Sequence, residues 1–262
     1  MHLGKINRNM PKHDWIVPDW PAPTHVRAVC TTVSGGVSQG PYKSMNPACH
    51  VNDDAEDVAE NRLLLQQALS LKLPPHWLQQ IHSTKVVDLD QRNLDIRADG
   101  STTTGDDIAC VVMTADCLPV LLTDREGQRI SALHAGWRGL AEGILEAGVQ
   151  QFTGTGDVLA WLGPAIGPEK FEVGEEVVDQ LSARTNDKTG WFRKSASSGK
   201  WLVDLYALAR LRLQQAGVYS IYGGTYCTFT DEERFFSYRR QGDCGRMATL
   251  VWRHHQVDDG QT

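Results

Sequence analysis

One apolar stretch of the chain carries four side chains that can do chemistry. It reads TADCLPVLLTDREGQRISALHAGWRGL over residues 114–140. Asp116 and Cys117 interrupt its first apolar run, His134 closes the second, and Arg138 follows almost at once. Because one hairpin-like pair of strands fits between Cys117 and His134, the thiol and the imidazole can approach each other at one end of a sheet.

A third candidate ligand precedes this stretch. His82 stands in QQIHST, at a predicted strand end that is followed by small polar residues. Two imidazoles and one thiolate match a catalytic zinc site whose fourth position stays open for water or substrate. The same donors suit copper and do not suit magnesium or calcium. The spacing also leaves open a second interpretation, in which Cys117 is a buried structural cysteine.

The GWRG segment suggests an anion site. Gly136 and Gly139 are predicted to let the backbone turn sharply from the strand into a helix. The free N–H groups at a helix N-terminus, with the forked cation of Arg138 beside them, would suit phosphate. A glycine-rich turn with an exposed arginine is the alternative interpretation of the same residues.

The elements that must position these side chains follow from the hydrophobic pattern. Strands are predicted around residues 25–33, from Trp77 onward, and over 85–89, 108–114, 118–123, 129–133 and 157–162. Helices are predicted over 55–70, where Asp53 or Asp54 can cap the helix, and over 138–152, 173–184 and 202–216. The stretch RFFSYRRQGDCGRMATLVWR is predicted to form a β-hairpin that turns at residues 242–245.

This mixture of elements predicts the α/β class. Strands and helices alternate without a strict βαβ repeat, which favours a single layered domain with a mixed β-sheet flanked by helices. We expect that domain to span residues 1–262, with an irregular lead over 1–14 and a tail over 254–262. A chain of this length can bury a core that needs no disulfides.

The composition excludes several classes of function. A net charge of −6 gives no general attraction to nucleic acid or to an anionic membrane. The N-terminus has no apolar segment typical of a secretory signal, and Asp116 and Pro119 break the longest apolar stretch. We therefore expect a cytoplasmic protein without nucleic-acid or membrane partners, as a monomer or weak homodimer. Six cysteines without a CxxC pair argue against a disulfide framework and a structural zinc finger.

Four motifs identify a family. TADCLPVLL, HAGWRGL, WLGPAIGP with FEVG, and FFSYRR occur in this order and resemble the laccase-domain family, its bacterial single-domain members above all. The resemblance runs from about Trp15 to Trp252. Members have been called polyphenol oxidases and peptidoglycan-editing factors, and they are now regarded as purine nucleoside phosphorylases. The resemblance implies purine nucleoside and phosphate as substrates, namely adenosine, inosine and methylthioadenosine, with adenosine deamination as a side activity.

The resemblance also implies a metal and its ligands. The family holds zinc with the His of a Q-x-H segment, the Cys of T-A-D-C and the His of H-A-G-W-R. In this chain those residues are His82, Cys117 and His134, the same three that the strand-end argument selects. Copper in place of zinc is the alternative metal. The resemblance therefore assigns catalytic roles to Cys117 and His134 through the metal.

The N-terminal loop departs from the family pattern. Relatives read T-T-R-x-G-G-V-S and S-L-N-L-G-x-H, whereas this chain reads TTVSGGVS and SMNPACH, so that Val33 replaces an arginine. Asn46 and His50 remain as candidate substrate contacts. Asn46 and Gln80 carry amides that could bind a purine edge or a ribose hydroxyl, and a plain loop hydrogen bond is the alternative for each.

The phosphate and the proton transfers need further groups. Arg138 could hold phosphate, with Arg239 or Arg240 of FFSYRR as other candidates and surface ion pairs as the alternative role of those two. Asp116 stands beside a metal ligand, which makes it a candidate general base or orienting residue. A turn-capping aspartate is the competing interpretation of Asp116.

Other functions compete with phosphorolysis. In a cysteine-type amidase, Cys117 would be the nucleophile and His134 the base, acting on a peptidoglycan precursor. A four-copper oxidase needs about ten imidazoles, largely in His-x-His pairs, and this chain has nine histidines, none so spaced. Phenol oxidation would therefore need a single copper in the zinc position. A binding protein without activity would show a large exposed apolar patch and no metal.

Overall fold

The structure is a computed structural model, and it describes residues 13–92, 94–185 and 189–254. The strands, in chain order, are β1 (Val26–Cys30), β2 (Val86–Asp88), β3 (Gly100–Thr103), β4 (Ala109–Thr114), β5 (Leu118–Asp124), β6 (Ile130–Ala135), β7 (Val158–Leu162), β8 (Glu172–Gly174), β9 (Phe192–Lys194), β10 (Lys200–Val203), β11 (Ser220–Gly223) and β12 (Met247–Arg253). The helices are α1 (Ala55–Ala68), α2 (Trp137–Glu142), α3 (Ile144–Gln150), α4 (Glu175–Ser182), α5 (Leu205–Gln215) and α6 (Tyr238–Gln241).

The described strands form three sheets. The largest has six strands in the order β11-β7-β5-β6-β3-β2 and is mixed, because β11 runs parallel to β7 and β2 runs parallel to β3. A second, antiparallel sheet has the order β1-β12-β4, and a small third sheet has the order β8-β10-β9. The mixed sheet flanked by helices confirms the predicted α/β class.

The core is layered because successive residues of a strand point to opposite faces. In β5, Val120 and Leu122 pack among helices α2–α5, whereas Leu121 packs against the second sheet. The far face of that second sheet packs on α1, where Leu65 contacts the same cluster as Val111. The described part of the molecule therefore has four layers in order: helices α2–α5, the six-stranded sheet, the second sheet and α1. This order confirms the predicted layered α/β domain.

Several element predictions are confirmed closely. The predicted strands over residues 25–33, 85–89, 108–114, 118–123, 129–133 and 157–162 correspond to β1, β2, β4, β5, β6 and β7. The first predicted helix is α1, and the carboxylate of Asp54 caps it by accepting the N–H groups of Glu56 and Asp57. The lead over 1–14 lies outside the described residues up to residue 12, and the tail lies outside them from residue 255. The single-domain span of 1–262 stays a prediction.

The helix predicted over residues 138–152 is two helices. Gly143 adopts a left-handed φ of 106°, which ends α2 and starts α3. An isolated glycine is tolerated inside a helical pattern, so the periodicity did not show the break. Two other predicted helices begin late because their first residues are strand residues, Val173 in β8 and Leu202 in β10.

The predicted C-terminal hairpin is wrong. Ser237 caps the short helix α6 by accepting the N–H of Arg240, so this half of the segment is not a strand. The other half, β12, pairs with β1 and β4 instead of with its own neighbours. The strand predicted from Trp77 is also wrong, since isolated bridges at His76 and Gln79 take its place. In both segments the strand pairing is with residues distant in sequence, which a local hydrophobic pattern does not predict.

No helix among the described residues combines the length and the apolar character that crossing a membrane requires.

Candidate metal centre

Three donor side chains converge where two strands of the large sheet meet. Residues 115–117 connect β4 of the second sheet to β5 of the large sheet, and Cys117 is the last of them. His134 lies near the end of β6 and pairs with Pro119 of β5, so the antiparallel register brings the imidazole next to the thiol. His82 reaches the same point from the turn before β2.

The distances fit a single small ion. One ligand atom from each of His82, Cys117 and His134 lies within 4.8 Å of the others. Cys117 Sγ is 4.0 Å from His82 Nε2, and the two imidazole rings meet edge to face with centroids 4.8 Å apart. The sequence argument therefore brought together three residues that the fold does place in one cluster, and this cluster is a candidate metal-binding site.

A buried carboxylate that the sequence analysis missed underlies the cluster. Asp99 is fully buried directly before β3, and its Oδ1 lies 2.8 Å from Nδ1 of His134. The same carboxylate accepts the backbone N–H groups of Ile81, His82 and Ser83. The dipeptide Asp99-Gly100 is typical of a turn, so local sequence gave no sign of this role.

Cys117, His134 and Asp99 shift one another's pKa values. Burial opposes ionisation of Cys117, but the charge of His134 and hydrogen bonds from both histidines lower the pKa of the thiol to about 6. Burial likewise opposes the charged form of His134, yet the Cys117 thiolate and Asp99 raise its pKa to about 9. Hydrogen bonds from His134 and Ser83 outweigh burial and lower the pKa of Asp99 to about 2. The imidazole therefore favours the charged forms of the thiol and the carboxylate, and each of them favours the charged form of the imidazole.

Gly136 is required for space and not for its backbone freedom. The chain does turn here from β6 into α2 as predicted, but a φ of −64° suits any residue, so the turn does not require a glycine. A Cβ at this position would stand 2.9 Å from Cδ2 of His82 and 3.1 Å from Sγ of Cys117. The hydrogen of Gly136 therefore leaves room for two of the three candidate ligands.

Two residues of the site adopt backbone conformations that side chains seldom take. His82 has a φ of 60° and Asp116 a φ of 86°. Such conformations cost about 1–3 kcal/mol and persist where the surroundings hold them. Asp99 holds His82, and the carboxylate of Asp116 accepts the hydroxyl of Thr228 at 2.6 Å and the N–H of Arg239 at 2.7 Å. These bonds use both oxygens of Asp116 and join the crossover at Cys117 to helix α6.

The two candidate amides are engaged with the backbone. The side chain of Gln80 binds both the N–H and the C=O of Met113 in β4. Asn46 is buried, donates to Asp53, and accepts the N–H groups of Ala48 and Arg246. The described contacts match the alternative role given above, a loop hydrogen bond, for both amides.

The three candidate arginines differ in their contacts. Arg138 is exposed, and its guanidinium stacks on the ring of Trp137 at 4.2 Å. Arg239 donates to the carbonyl of Glu172, and Arg240 donates to the carbonyls of three residues of the 228–235 segment. In these contacts Arg239 and Arg240 bind backbone carbonyls, and their roles toward phosphate stay predictions.

Cations other than those three flank the cluster. Arg62 and Arg246 both bind the loop that precedes His50, through the carbonyl of Pro47 and the side chain of Asn46. Burial, followed by the charges of Arg246, Arg62 and His134, lowers the pKa of His50. Arg62 donates Nε–H to the carbonyl of Pro47 and stacks at 4.4 Å on the ring of Trp77, while its Nη2 is buried and has no hydrogen-bond partner among the described residues. The sequence analysis named His50 and missed both arginines, because nothing in their spacing points to the cluster.

The fold and the cluster together define an α/β protein with a candidate metal site of two imidazoles and one thiol. The sequence model of the family described as multi-copper polyphenol oxidoreductase laccase matches residues 27–254. The chain therefore belongs to this family, as its motifs predicted.

Curated relatives cover nearly the whole chain. A protein of Pseudomonas aeruginosa named purine nucleoside phosphorylase is 51% identical over 239 residues, which are 91% of this chain and 98% of the relative. The Escherichia coli protein named purine nucleoside phosphorylase YfiH is 46% identical, over 90% of this chain and 98% of its own length.

Solved structures share the fold. A Neisseria meningitidis protein of 46% identity superimposes with a TM-score of 0.83 and covers 92% of this chain and 99% of its own. YlmD from Geobacillus stearothermophilus, at 31% identity, has a TM-score of 0.82 and covers 88% of this chain and 93% of its own.

Proposed function

We propose that this chain is a zinc-dependent purine nucleoside phosphorylase that acts on adenosine, inosine and methylthioadenosine, with adenosine deamination as a side activity. The observation that carries the proposal is the pairing of two sites. A cluster of three metal donors lies in the same neighbourhood as a group of cations with an unpaired buried donor. The curated relatives named purine nucleoside phosphorylase support the same activity.

The donor set suits zinc. His82, Cys117 and His134 would hold the ion, because two imidazoles and a thiolate are ligands that zinc accepts while it keeps a fourth position open. Asp99 would offset part of the positive charge of the ion, and its carboxylate accepts the Nδ1–H of His134. When bound, zinc supplies a Lewis acid that polarises an oxygen of substrate or water.

The cationic group suits phosphate. Arg62, Arg246 and His50 would hold the anion, and the buried Nη2 of Arg62 is a donor that phosphate would satisfy. In phosphorolysis, a phosphate oxygen bonds to C1′ of the ribose as the bond from C1′ to the purine breaks. The bonding electrons leave with the purine, which takes up a proton, and the products are the free base and the sugar 1-phosphate, which is ribose 1-phosphate for adenosine and inosine and 5-methylthioribose 1-phosphate for methylthioadenosine. A phosphate held in place supplies orientation for the attack.

An exposed aromatic ring is available for the base. Tyr238 is 60% exposed at the start of α6, and the next residue, Arg239, donates its N–H to Asp116 beside Cys117. The guanidinium of Arg246 lies 5.9 Å from the ring of Tyr238. A purine could stack on Tyr238 while phosphate occupies the far side of Arg246, since every purine presents a π-face.

Product analysis tests the proposal. Purified protein of measured zinc content is incubated with each of the three nucleosides, with and without phosphate. We expect free base and a sugar 1-phosphate only when phosphate is present: ribose 1-phosphate from adenosine and inosine, and 5-methylthioribose 1-phosphate from methylthioadenosine. We also expect inosine from adenosine without phosphate. Cys117→Ala should abolish all products, whereas Cys227→Ala removes a partly exposed thiol outside the cluster and should leave them unchanged. Fully loaded protein that releases no base would refute the phosphorylase.

One observation supports a second candidate function, that of a cysteine-type amidase. Cys117, His134 and Asp99 form a thiol–imidazole–carboxylate series, the arrangement that activates a nucleophile in cysteine hydrolases. This series fits an amidase that edits peptidoglycan precursors, with Cys117 as the nucleophile. His82 argues for the metal, because a hydrolase of that kind does not need a second imidazole at the thiol.

Alkylation separates the two candidates. A thiolate bound to zinc resists iodoacetamide until a chelator strips the metal, whereas an activated nucleophile reacts at once. We expect Cys117 to react only after chelation. A single copper in the same three ligands is the remaining alternative, and loading the stripped protein with copper and measuring phenol oxidation tests it.

A further inference from the structure

Asp99 touches both histidines of the cluster, and nothing in the sequence motifs marks it. We propose that Asp99 is the positioning residue of the metal site, which fixes the ring of His134 and the turn that carries His82. The inference rests on the metal site of the proposed function. It adds a residue through which the two imidazoles keep one fixed arrangement.

Asp99 binds His134 twice. The backbone N–H of His134 donates to the carbonyl of Asp99 at 2.7 Å, continuing the register in which β3 pairs with β6. The side-chain carboxylate then accepts Nδ1–H of the same residue at 2.8 Å. With the proton held on Nδ1, Nε2 keeps its lone pair toward Cys117 and His82, as a metal ligand must.

The same carboxylate holds the turn of His82. Its Oδ1 accepts the N–H of His82 at 2.9 Å, and Oδ2 accepts the N–H of Ser83 at 2.6 Å and the Ser83 hydroxyl at 2.8 Å. His82 is in the left-handed region, which a histidine enters at a cost. These hydrogen bonds offset that cost and keep the exposed imidazole aimed at the cluster.

One carboxylate therefore serves two ligands from separate segments. Five donors surround the two oxygens of Asp99, which is fully buried. A buried carboxylate persists only with such partners, and each partner here is part of a ligand or adjoins one. Changing this residue should loosen both histidines at once.

The test is zinc affinity in an isosteric variant. Asp99→Asn keeps the size of the side chain but replaces one acceptor oxygen with an NH₂ group. The NH₂ group must face either Nδ1 of His134 and the N–H of His82, or the N–H groups of Ile81 and Ser83. In the first orientation His134 loses its acceptor, and in the second the turn that carries His82 loses two. We expect zinc, measured by competition with a chromogenic chelator, to bind about 10- to 100-fold more weakly. Asp99→Ala should bind no more tightly than Asp99→Asn.

Asp90→Asn is the matched control. Asp90 also holds a turn, accepting the hydroxyl of Thr103, and the N–H and hydroxyl of Thr104 at 2.8 and 2.7 Å. In these bonds it serves no candidate ligand, so its variant should lose stability and keep the zinc affinity of the wild type. Equal zinc affinity in Asp99→Asn and the wild type would overturn the proposal.

A measurement on the wild type keeps the proposal testable if Asp99→Asn does not fold. Nitrogen-15 NMR of the zinc-loaded protein should show a slowly exchanging proton on Nδ1 of His134 and none on Nε2. A metal-bound Nδ1 would overturn the proposal. Failure of the proposed function looks different, because the wild-type protein would then bind no zinc at all or release no purine base.

Discussion

The two halves of the candidate site are built from different kinds of structure. The metal half, with His82, Cys117 and His134, gathers at strand ends of the large sheet and is braced by a buried carboxylate. The cationic half comes from other segments: His50 lies in a loop, Arg62 in α1, and Arg246 just before β12. One half is tied to the six-stranded sheet, whereas the other is carried by the second sheet and the helix that packs on it.

This difference indicates that one half binds the metal and the other binds the anion. Residues held by sheet register and by a shared carboxylate keep a fixed geometry, which a metal ion needs. Arginine side chains on a helix and a loop can adjust to an anion, because they are attached through long flexible stems. Variants in one half should therefore change metal affinity, and variants in the other should change phosphate use with the metal in place.

Among variants that compare the two halves, the largest effect is expected from the exposed metal ligand, His82. His82→Ala removes one imidazole without touching Cys117, His134 or Asp99. We expect the zinc content to fall and the phosphorolysis rate to fall about 10³-fold, because a Lewis acid contributes several kcal/mol to such a step. His76→Ala, in the same segment outside the cluster, is the control. Retained zinc in His82→Ala would show that the metal half does not need this residue.

Variants in the cationic half should change the KM for phosphate and no other measured constant. Arg62→Gln removes the charge and the unpaired donor, and one lost charged hydrogen bond corresponds to about 10- to 100-fold in the KM for phosphate. The zinc affinity and the KM for nucleoside should stay near wild type. Arg62→Lys should recover only part of the loss, since an ammonium has no forked geometry.

Arg125→Gln controls for net charge. Arg125 lies at the opposite end of β5 from Cys117, where it pairs with Asp157 in an exposed position. Its variant should leave the KM for phosphate unchanged. A loss of zinc in Arg62→Gln would contradict the division between the two halves.

A glycine of the metal half should show a smaller effect. Gly136→Ala adds a methyl group 2.9 Å from the ring of His82, so the ring must move. Overpacking of this kind costs about 1–3 kcal/mol, and we expect zinc affinity to fall about tenfold. In the metal-free protein the exposed ring of His82 can move away, so the thermal midpoint should fall only slightly, through the contact with Sγ of Cys117 at 3.1 Å. Unchanged zinc affinity would mean that His82 has more freedom than its turn indicates.

The metal ligands could be predicted because cysteine and histidine are recognised as metal donors from the sequence itself. Cys117 and His134 stand at strand ends, and the buried runs of β5 and β6 show where those ends meet. The spacing alone left a structural cysteine open, and the resemblance of the motifs to the family favoured the metal. The strand pairing that brings Cys117 to His134 is also local in sequence. Sequence reasoning therefore found the part of the site that follows from neighbouring strands.

The remaining part depends on contacts between distant segments. Arg246 precedes a strand that was predicted to pair within a hairpin, yet β12 pairs with β1 and β4. Arg62 reaches the site from the side of α1, and no spacing relates it to Cys117. Asp99 was hidden for another reason, since Asp-Gly is typical of an exposed turn and here the carboxylate is fully buried. Each missed residue acts through a pairing that local patterns do not encode.

The smallest effect is expected at the rim of the cationic half. Tyr238→Ala removes an exposed ring beside Arg246, and stacking on one aromatic side chain contributes about 1 kcal/mol at the weak end of its range. We expect the KM for inosine to rise about fivefold, with the KM for phosphate and the zinc affinity unchanged, and Tyr238→Phe to behave as wild type. Tyr219→Ala, which removes a ring that is 78% exposed directly before β11, is the control. A change in the KM for phosphate instead would place the ring of Tyr238 next to the anion and assign the purine to the opposite side of the metal half.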